Sequence, residues 1–347
     1  MRRLLWLGLC AIQTFAARAQ TTEATPGATG LPMPAHARVV VVHDPAALQT
    51  FNARLERIEP MVARGLTNVT GKPSASDAWR SLVSTQDTVG IKVYSLPGAL
   101  SGTRPAVVEA VVRGLLAAGL PPRQIVIWDK HLADLRLAGF YELAQRYGVR
   151  VAGSVDSGYD EKTFYEAALL GRLVWGDHEF GNKEPAVGRK SFVSKLVTQE
   201  MTKIIHLTPL LNHNVVGVSG NLFGLTFGSV DNTLRFEADP AQLATAIPEI
   251  YALPAVGDRV VLNIVDALIC QYLGEERMRL HHSAKLNQLW FSTDPVALDI
   301  LSIQELDRQR EAARLTPAKP KLDLYQNASL LQLGVSDLKN IEVVTVL

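Results

Sequence analysis

Seven side chains in this sequence have the types and settings that chemistry uses. Asp266 lies between Val265 and Ala267, Asp294 precedes Pro295, and His213 stands between two asparagines. A carboxylate in so apolar a stretch as that around Asp266 needs a partner: a backbone amide, a cation or a substrate. Asp266 and Asp294, with His213 beside them, are therefore candidate acid–base groups or ligands of a divalent metal. Lys92 and Asn221 are candidates for orienting a polar ligand. Thr103 and Arg104 follow Ser101-Gly102 at the start of a helix, where free amides and the helix dipole favour an anion. Each has a plainer use: Thr103 as an N-cap, Asp294-Pro295 as helix cap and first residue, and a lone histidine as a hydrogen-bonded core residue.

These groups need a scaffold, and the hydrophobic pattern supplies one. Arg38–His43 is a continuous apolar strand, after which Asp44-Pro45 open a helix with Leu48, Phe51, Leu55, Ile58, Met61 and Val62 at helical spacing. Thr88–Tyr94 is a strand, Ser95–Gly102 a Gly/Pro/Ser loop, Ala106–Ala118 a helix stopped by Gly119, and Gln124–Asp129 the next strand. That succession is a βαβ unit and implies a parallel pair with a right-handed crossover. Val149–Gly153, Lys203–Leu207, Arg259–Val265, Leu289–Ser292 and Ile341–Val346 read as further strands, and Asp239-Pro240 and Asp294-Pro295 open helices. Residues 212–232 read as a long glycine- and asparagine-rich loop, a kind that is usually functional. The expectation is an α/β fold with a mainly parallel or mixed sheet flanked by helices and an irregular insertion near 155–200. Lys92, Ser95, Asp129, His131, His206, Thr208, Asp266 and Asp294 all stand at or just past strand ends. In open α/β sheets ligands bind outside the carboxyl ends of the strands, so these groups would share one crevice.

Composition narrows the classes. With 347 residues and 47% hydrophobic content the chain can bury a large core, which excludes a disordered protein. Its 35 basic and 34 acidic residues argue against a nucleic-acid partner, and no apolar run has the roughly 18–20 residues needed to span a bilayer. Arg2-Arg3, the apolar run Leu4–Ile12 and the small-residue tract Ala16–Ala19 have the order of a secretory signal cleaved near Ala19. Residues 20–37 then read as a flexible leader, and 38–347 as a single domain. Cleavage would leave Cys270 as the one cysteine, too few for a four-cysteine iron–sulfur cluster. No Gly-x-Ser-x-Gly elbow, His-Glu-x-x-His helix or Rossmann glycine fingerprint is present.

Several segments together resemble a known family. They are Val89-Gly-Ile-Lys-Val93, Thr103-Arg-Pro-Ala-Val107, Ile125-Val-Ile-Trp-Asp129, Leu211-Asn-His-Asn214 with Val218-Ser-Gly-Asn-Leu-Phe-Gly224, Leu262-Asn-Ile-Val-Asp266 and Ser292-Thr-Asp-Pro-Val296. In order and spacing, over about residues 88–306, the chain is similar to the domain of unknown function 362. That resemblance implies a fold and a site rather than a reaction, and some members carry iron–sulfur clusters. It places Lys92, His213, Asn221, Asp266 and Asp294 on motif positions. The chain departs from the usual pattern at Tyr94, Leu211-Asn212 and Gly220, where members carry an asparagine and lysines. The resulting expectation is an exported enzyme acting on a small polar molecule at the strand-end crevice. The alternative is a non-catalytic periplasmic binding or accessory protein.

Overall fold

The strand Val39–Val42 has no polar side chain, and both of its faces are covered. That is the pattern of a strand inside a sheet with helices on both sides. The computed structural model describes residues 36–167, 189–237, 239–275, 277–316 and 322–347, so the segment expected to be a signal, and nearly all of the one expected to be a leader, lie outside the described residues. Its strands in chain order are β1 (Ala37–His43), β2 (Leu48–Gln49), β3 (Asn52–Ala53), β4 (Val89–Lys92), β5 (Ile125–Asp129), β6 (Arg150–Gly153), β7 (Tyr159–Glu166), β8 (Lys190–Ser194), β9 (Lys203–His213), β10 (Gly217–Val218), β11 (Val260–Gln271), β12 (Ser283–Ser292) and β13 (Ile341–Val346).

The main sheet has the order β13-β1-β12-β11-β9-β4-β5-β6, with β10 folded back on β9. Pairings from β11 to β6 are all parallel, as is β1 with β13. On this path β12 alone runs against its neighbours. The sheet is therefore mixed but mainly parallel, and the protein is of the α/β class. Alternation along the parallel strands sends Ile91, Ile127, Ile205 and Leu207 to one face, under the helices Leu55–Thr70, Ala75–Leu82 and Pro105–Ala117. Val126, Trp128, Ile204 and Val265 go to the other, under Asn221–Ser229, Pro240–Tyr251, Pro295–Ala312 and Asp323–Leu330.

Three local expectations are corrected. Asp44 does not open a helix: its carboxylate accepts from the Ala46 amide in a turn, β2 and β3 follow, and the helix starts at Leu55. Residues 212–232 are not a loop; they hold β10 and the buried helix Asn221–Ser229. Glycine serves close packing there, since a Cβ on Gly228 would stand 2.1 Å from Lys92 Cε. Asp266 lies within β11, which continues to Gln271. The segment 155–200, expected to hold irregular or antiparallel elements, contains in its described part the antiparallel pair β7–β8 and a π-helical turn at Leu196–Glu200, and the remainder falls outside the described residues.

Candidate functional site

The chain runs outward from β4 to β5 and β6, then returns to the opposite side of β4 as β9. The sheet order thus reverses between β4 and β9, the position where open α/β sheets open a crevice at their carboxyl ends. A cavity of about 340 Å³ lies there. Its walls come from the segment after β4 (Tyr94, Leu96), from the end of β5 into the next helix (Asp129, Lys130, His131, Asp134), from the helix Asn221–Ser229 (Phe223, Phe227), and from residues 231–237.

Asp129 stands at the base. Its Oδ1 accepts from Lys92 Nζ at 2.8 Å and from the Lys130 amide, and its Oδ2 accepts from the amide and hydroxyl of Ser95. Burial pushes this carboxyl up, but the Lys92 ammonium and the hydrogen bonds from Lys92 and Ser95 outweigh it and hold the acid below its usual range. Lys92 is fully buried, donates also to the Val93 carbonyl, and is roofed by Gly228. It fixes Asp129 rather than reaching into the cavity.

Asp134 behaves oppositely. Burial is the largest influence on it and raises its pKa; His131 pulls the other way and Asp129 adds to the rise. The two carboxylates, at a strand end and in the first turn of the helix Leu132–Leu137, are thus pushed apart in acidity. The cavity's aromatic side is a run of rings, with His213 to Phe223 at 4.5 Å, Phe223 to Phe227 at 4.1 Å and Phe227 to Phe236 at 5.9 Å.

Of the residues picked out from the sequence, Lys92 lies beneath this crevice and Asn221 opens the helix that walls it. Asn221 is held from another helix: Asp299 accepts from the Asn221 amide and side chain and from the Leu222 amide. Burial pushes Asp299 up to about 7, against the pull of those hydrogen bonds. Thr103 is not an N-cap, because its hydroxyl accepts from the Tyr94 amide and donates to the Leu207 carbonyl, tying β4 to β9. Arg104 does not face an anionic ligand. Its guanidinium donates to Asp266 Oδ1 at 2.8 Å and to the carbonyls of Leu100 and Ile269, while its amide and that of Leu268 also donate to Asp266.

The expected grouping of Asp266, Asp294 and His213 does not form. Asp266 is fully enclosed by its partners. Asp294 follows β12, which runs against its neighbours β1 and β11, so it sits at the opposite end of the strands from the crevice, capping Ala297 and accepting from Val335. His213 Nδ1 accepts from the amides of Val215 and Val216, which places its ring proton on Nε2. Burial lowers its pKa, partly opposed by Glu275. Among the described residues no three His, Cys, Asp or Glu side chains gather around a metal-sized space. An iron–sulfur cluster does not fit this chain either: it has two cysteines, and Cys270 is enclosed, its thiol pushed up to about 12 by burial.

Asp134, Phe223, Phe227 and Glu237 line the crevice without standing out in the sequence, and Asp299 supports it by holding the helix at Asn221. Asp299 was the most visible of them, a carboxylate amid Val296-Ala-Leu and Ile300 in a helix turned to the core. A larger groove of about 650 Å³ lies beside Val41, Trp290 and the helix Pro295–Ala312, away from these strand ends. There Glu305 and Asp307 are paired with Arg308 and Arg310.

Fold and crevice define an open, mainly parallel α/β protein with its candidate site at a topological switch point. The chain belongs to the family described as domain of unknown function (DUF362), whose model matches residues 91–304. A crystal structure of a protein from Thermotoga maritima is similar at 11% identity and a TM-score of 0.42, over 77% of this chain and 61% of that one. The chain thus spans about three fifths of that protein's length. No curated protein matches it. Among the described residues no helix is long and apolar enough to cross a membrane.

Proposed function

We propose that this protein is an enzyme that binds a small polar molecule in the crevice at the ends of β4 and β5 and transfers a proton there. The observation behind this reading is two carboxylates in unlike settings on one cavity wall: Asp129, held by the Lys92 ammonium and Ser95, which keep its pKa low, and Asp134, half-buried, whose pKa burial raises. Carboxylates separated in this way divide the work of fixed charge and proton carrier. Asp129 is the fixed charge at the cavity base, its oxygens held by Lys92, Ser95 and the Lys130 amide, Asp134 takes or gives the proton, and Lys92 is a positioning residue that locks Asp129. The N-terminal segment supports export of the chain, and N-terminal sequencing of the protein recovered outside the cytoplasm tests that part.

The proton-transfer part is tested by incubating purified protein with mixed small amines, polyols and hydroxy acids in D2O and following deuterium uptake and product masses. Uptake that falls by about 100-fold in Asp134→Asn, with binding retained, supports the reading, since a positioned acid–base group contributes on the order of that factor or more. Binding without turnover in either protein supports the second reading, a binding protein. The burial of Lys92 under Gly228 favours that alternative, because it keeps the ammonium from any substrate.

A further inference from the structure

The helix Asn221–Ser229 walls the crevice with Phe223, Gly224, Phe227 and Gly228, and its first turn is held from another helix. Asp299 Oδ1 accepts from the Asn221 amide at 2.6 Å and from the Asn221 side chain at 2.8 Å, and Oδ2 accepts from the Leu222 amide at 3.0 Å. Gly220 makes room for this contact, since a Cβ there would stand 2.1 Å from Asp299 Oδ1. Asp299 and Asn221 are both buried.

The hydrogen bonds of this contact are lopsided. Oδ1 of Asp299 takes two donors and Oδ2 takes one. The other half of the same side-chain amide, Asn221 Oδ1, is a buried acceptor with no hydrogen-bond partner among the described residues. A carboxylate has only acceptors and gives it nothing, whereas a carboxylic acid has one hydrogen to give. A buried carbonyl left unpaired is costly, so the contact favours the acid.

The titratable groups around the contact are fixed near neutral pH, with one exception. Tyr251 and Tyr325, from the helices Pro240–Tyr251 and Asp323–Leu330, are raised by burial and by the Asp299 charge. His206, from β9, meets the Asn221 backbone, and burial, then the Lys92 ammonium, hold it well below the ordinary histidine range. Asp266 of β11 is held by Arg104, and Arg38 of β1 donates to the Asn68 carbonyl. The exception is Asp294, at the start of the same helix as Asp299, whose charge adds to the rise in Asp299.

We propose that Asp299 and Asn221 are a proton-operated clamp on the crevice wall: with a proton on Oδ2, Asp299 accepts from and donates to Asn221 at once, and without it the first turn of the helix Asn221–Ser229 opens more readily. Asp299 is a positioning residue, acting through that helix. Opening exposes the carboxyl to water and its ordinary value of 3.8, whereas burial in the closed wall pushes it up to about 7. The closed form therefore keeps a proton that the open form releases, so opening increases as pH rises between those values and is level above them. The effect on a bound molecule rests on the crevice reading above; the clamp itself does not.

Amide hydrogen exchange of the full chain without ligand, from about pH 5 to about pH 8 and corrected for the intrinsic pH dependence of exchange, reads the clamp directly. The amides of Asn221, Leu222 and Gly224 should exchange faster than those of β5 and lose at least about tenfold in protection over that range. Asp299→Asn supplies Asn221 Oδ1 with a donor at every pH and should abolish the slope, while Asp294→Asn should keep it. A carbon-13 titration of the Asp299 carboxyl in the unaltered protein serves if Asp299→Asn does not fold, and its midpoint should fall where the loss of protection levels off. Protection flat with pH, a slope kept in Asp299→Asn or lost in Asp294→Asn, amides that open only together with β5, or a carboxyl midpoint in the ordinary range overturns the clamp. The crevice reading fails separately, on absence of binding and deuterium uptake while the slope persists.

Discussion

Lys92 and Asp129 form an ion pair, 2.8 Å between Nζ and Oδ1, that joins the carboxyl ends of adjacent parallel strands beneath the crevice. Both partners are buried, so each depends on the other for its charge. Removing one partner of such a pair costs about 3–5 kcal/mol, whereas replacing both with apolar or neutral groups costs much less. Lys92→Met should therefore lower the urea midpoint strongly, and Lys92→Met combined with Asp129→Asn should recover most of the loss. An additive double variant would show that the pair is not coupled.

Asp266 and Arg104 are the second buried pair, and their role is to hold the start of the helix Pro105–Ala117 against β11. Asp266→Asn leaves the Arg104 guanidinium without a counter-charge and should cost on the order of 3–5 kcal/mol in denaturant unfolding. Crevice binding measured on the fraction that remains folded should be unchanged. Loss of binding with full stability would return Asp266 to the ligand site.

Asp299 gives stability a pH dependence of defined sign. Its native pKa, near 7, lies above the ordinary value of 3.8, so the folded state keeps a proton that the unfolded chain releases. Folding is favoured by this group at low pH, and the contribution declines as pH rises from about 4 to about 7, then stays level. Unfolding curves across that window should show the decline, and Asp299→Asn should remove it. A slope unchanged by the substitution would assign it to other groups.

Asn263 and His206 are neighbours across β11 and β9, fully buried, and both side-chain polar atoms of Asn263 lack a hydrogen-bond partner among the described residues. An unpaired buried amide is a liability of about 1–3 kcal/mol. Asn263→Leu, close in size, should hold or raise the thermal midpoint. A drop equivalent to more than about 1 kcal/mol would mean that ordered water completes this pair in the folded protein.

The α/β class, the βαβ unit at residues 88–129 and the capping by Asp239 and Asp294 were all legible, because strand runs, N-caps and helix-stopping glycines are local signals. The direction of β12 was not. Nothing in Leu289–Ser292 distinguishes a parallel from an antiparallel buried strand, and that one reversal carries Asp294 away from the strand-end groups. Glycine misled in the segment 212–232. Its glycines look like loop residues, yet Gly228 is small because Lys92 lies beneath it. The crevice itself was half legible: Asp129 and His131 stood out as strand-end residues, while Phe223, Phe227 and Glu237 join it only through the crossing of a helix over the sheet.

The place of β1 has a consequence for the order of assembly. Val40 is paired with Phe291 and Val41 with Thr345, partners roughly 250 and 300 residues downstream. The unit from β4 to β6 closes over short connections and can form while the chain is still growing. β1 must wait, an apolar ribbon with both edges open, until β12 and β13 arrive on either side of it. Shortening the chain before Ile341 would leave one of those edges bare, and aggregation rather than a quiet loss of stability is the expected outcome.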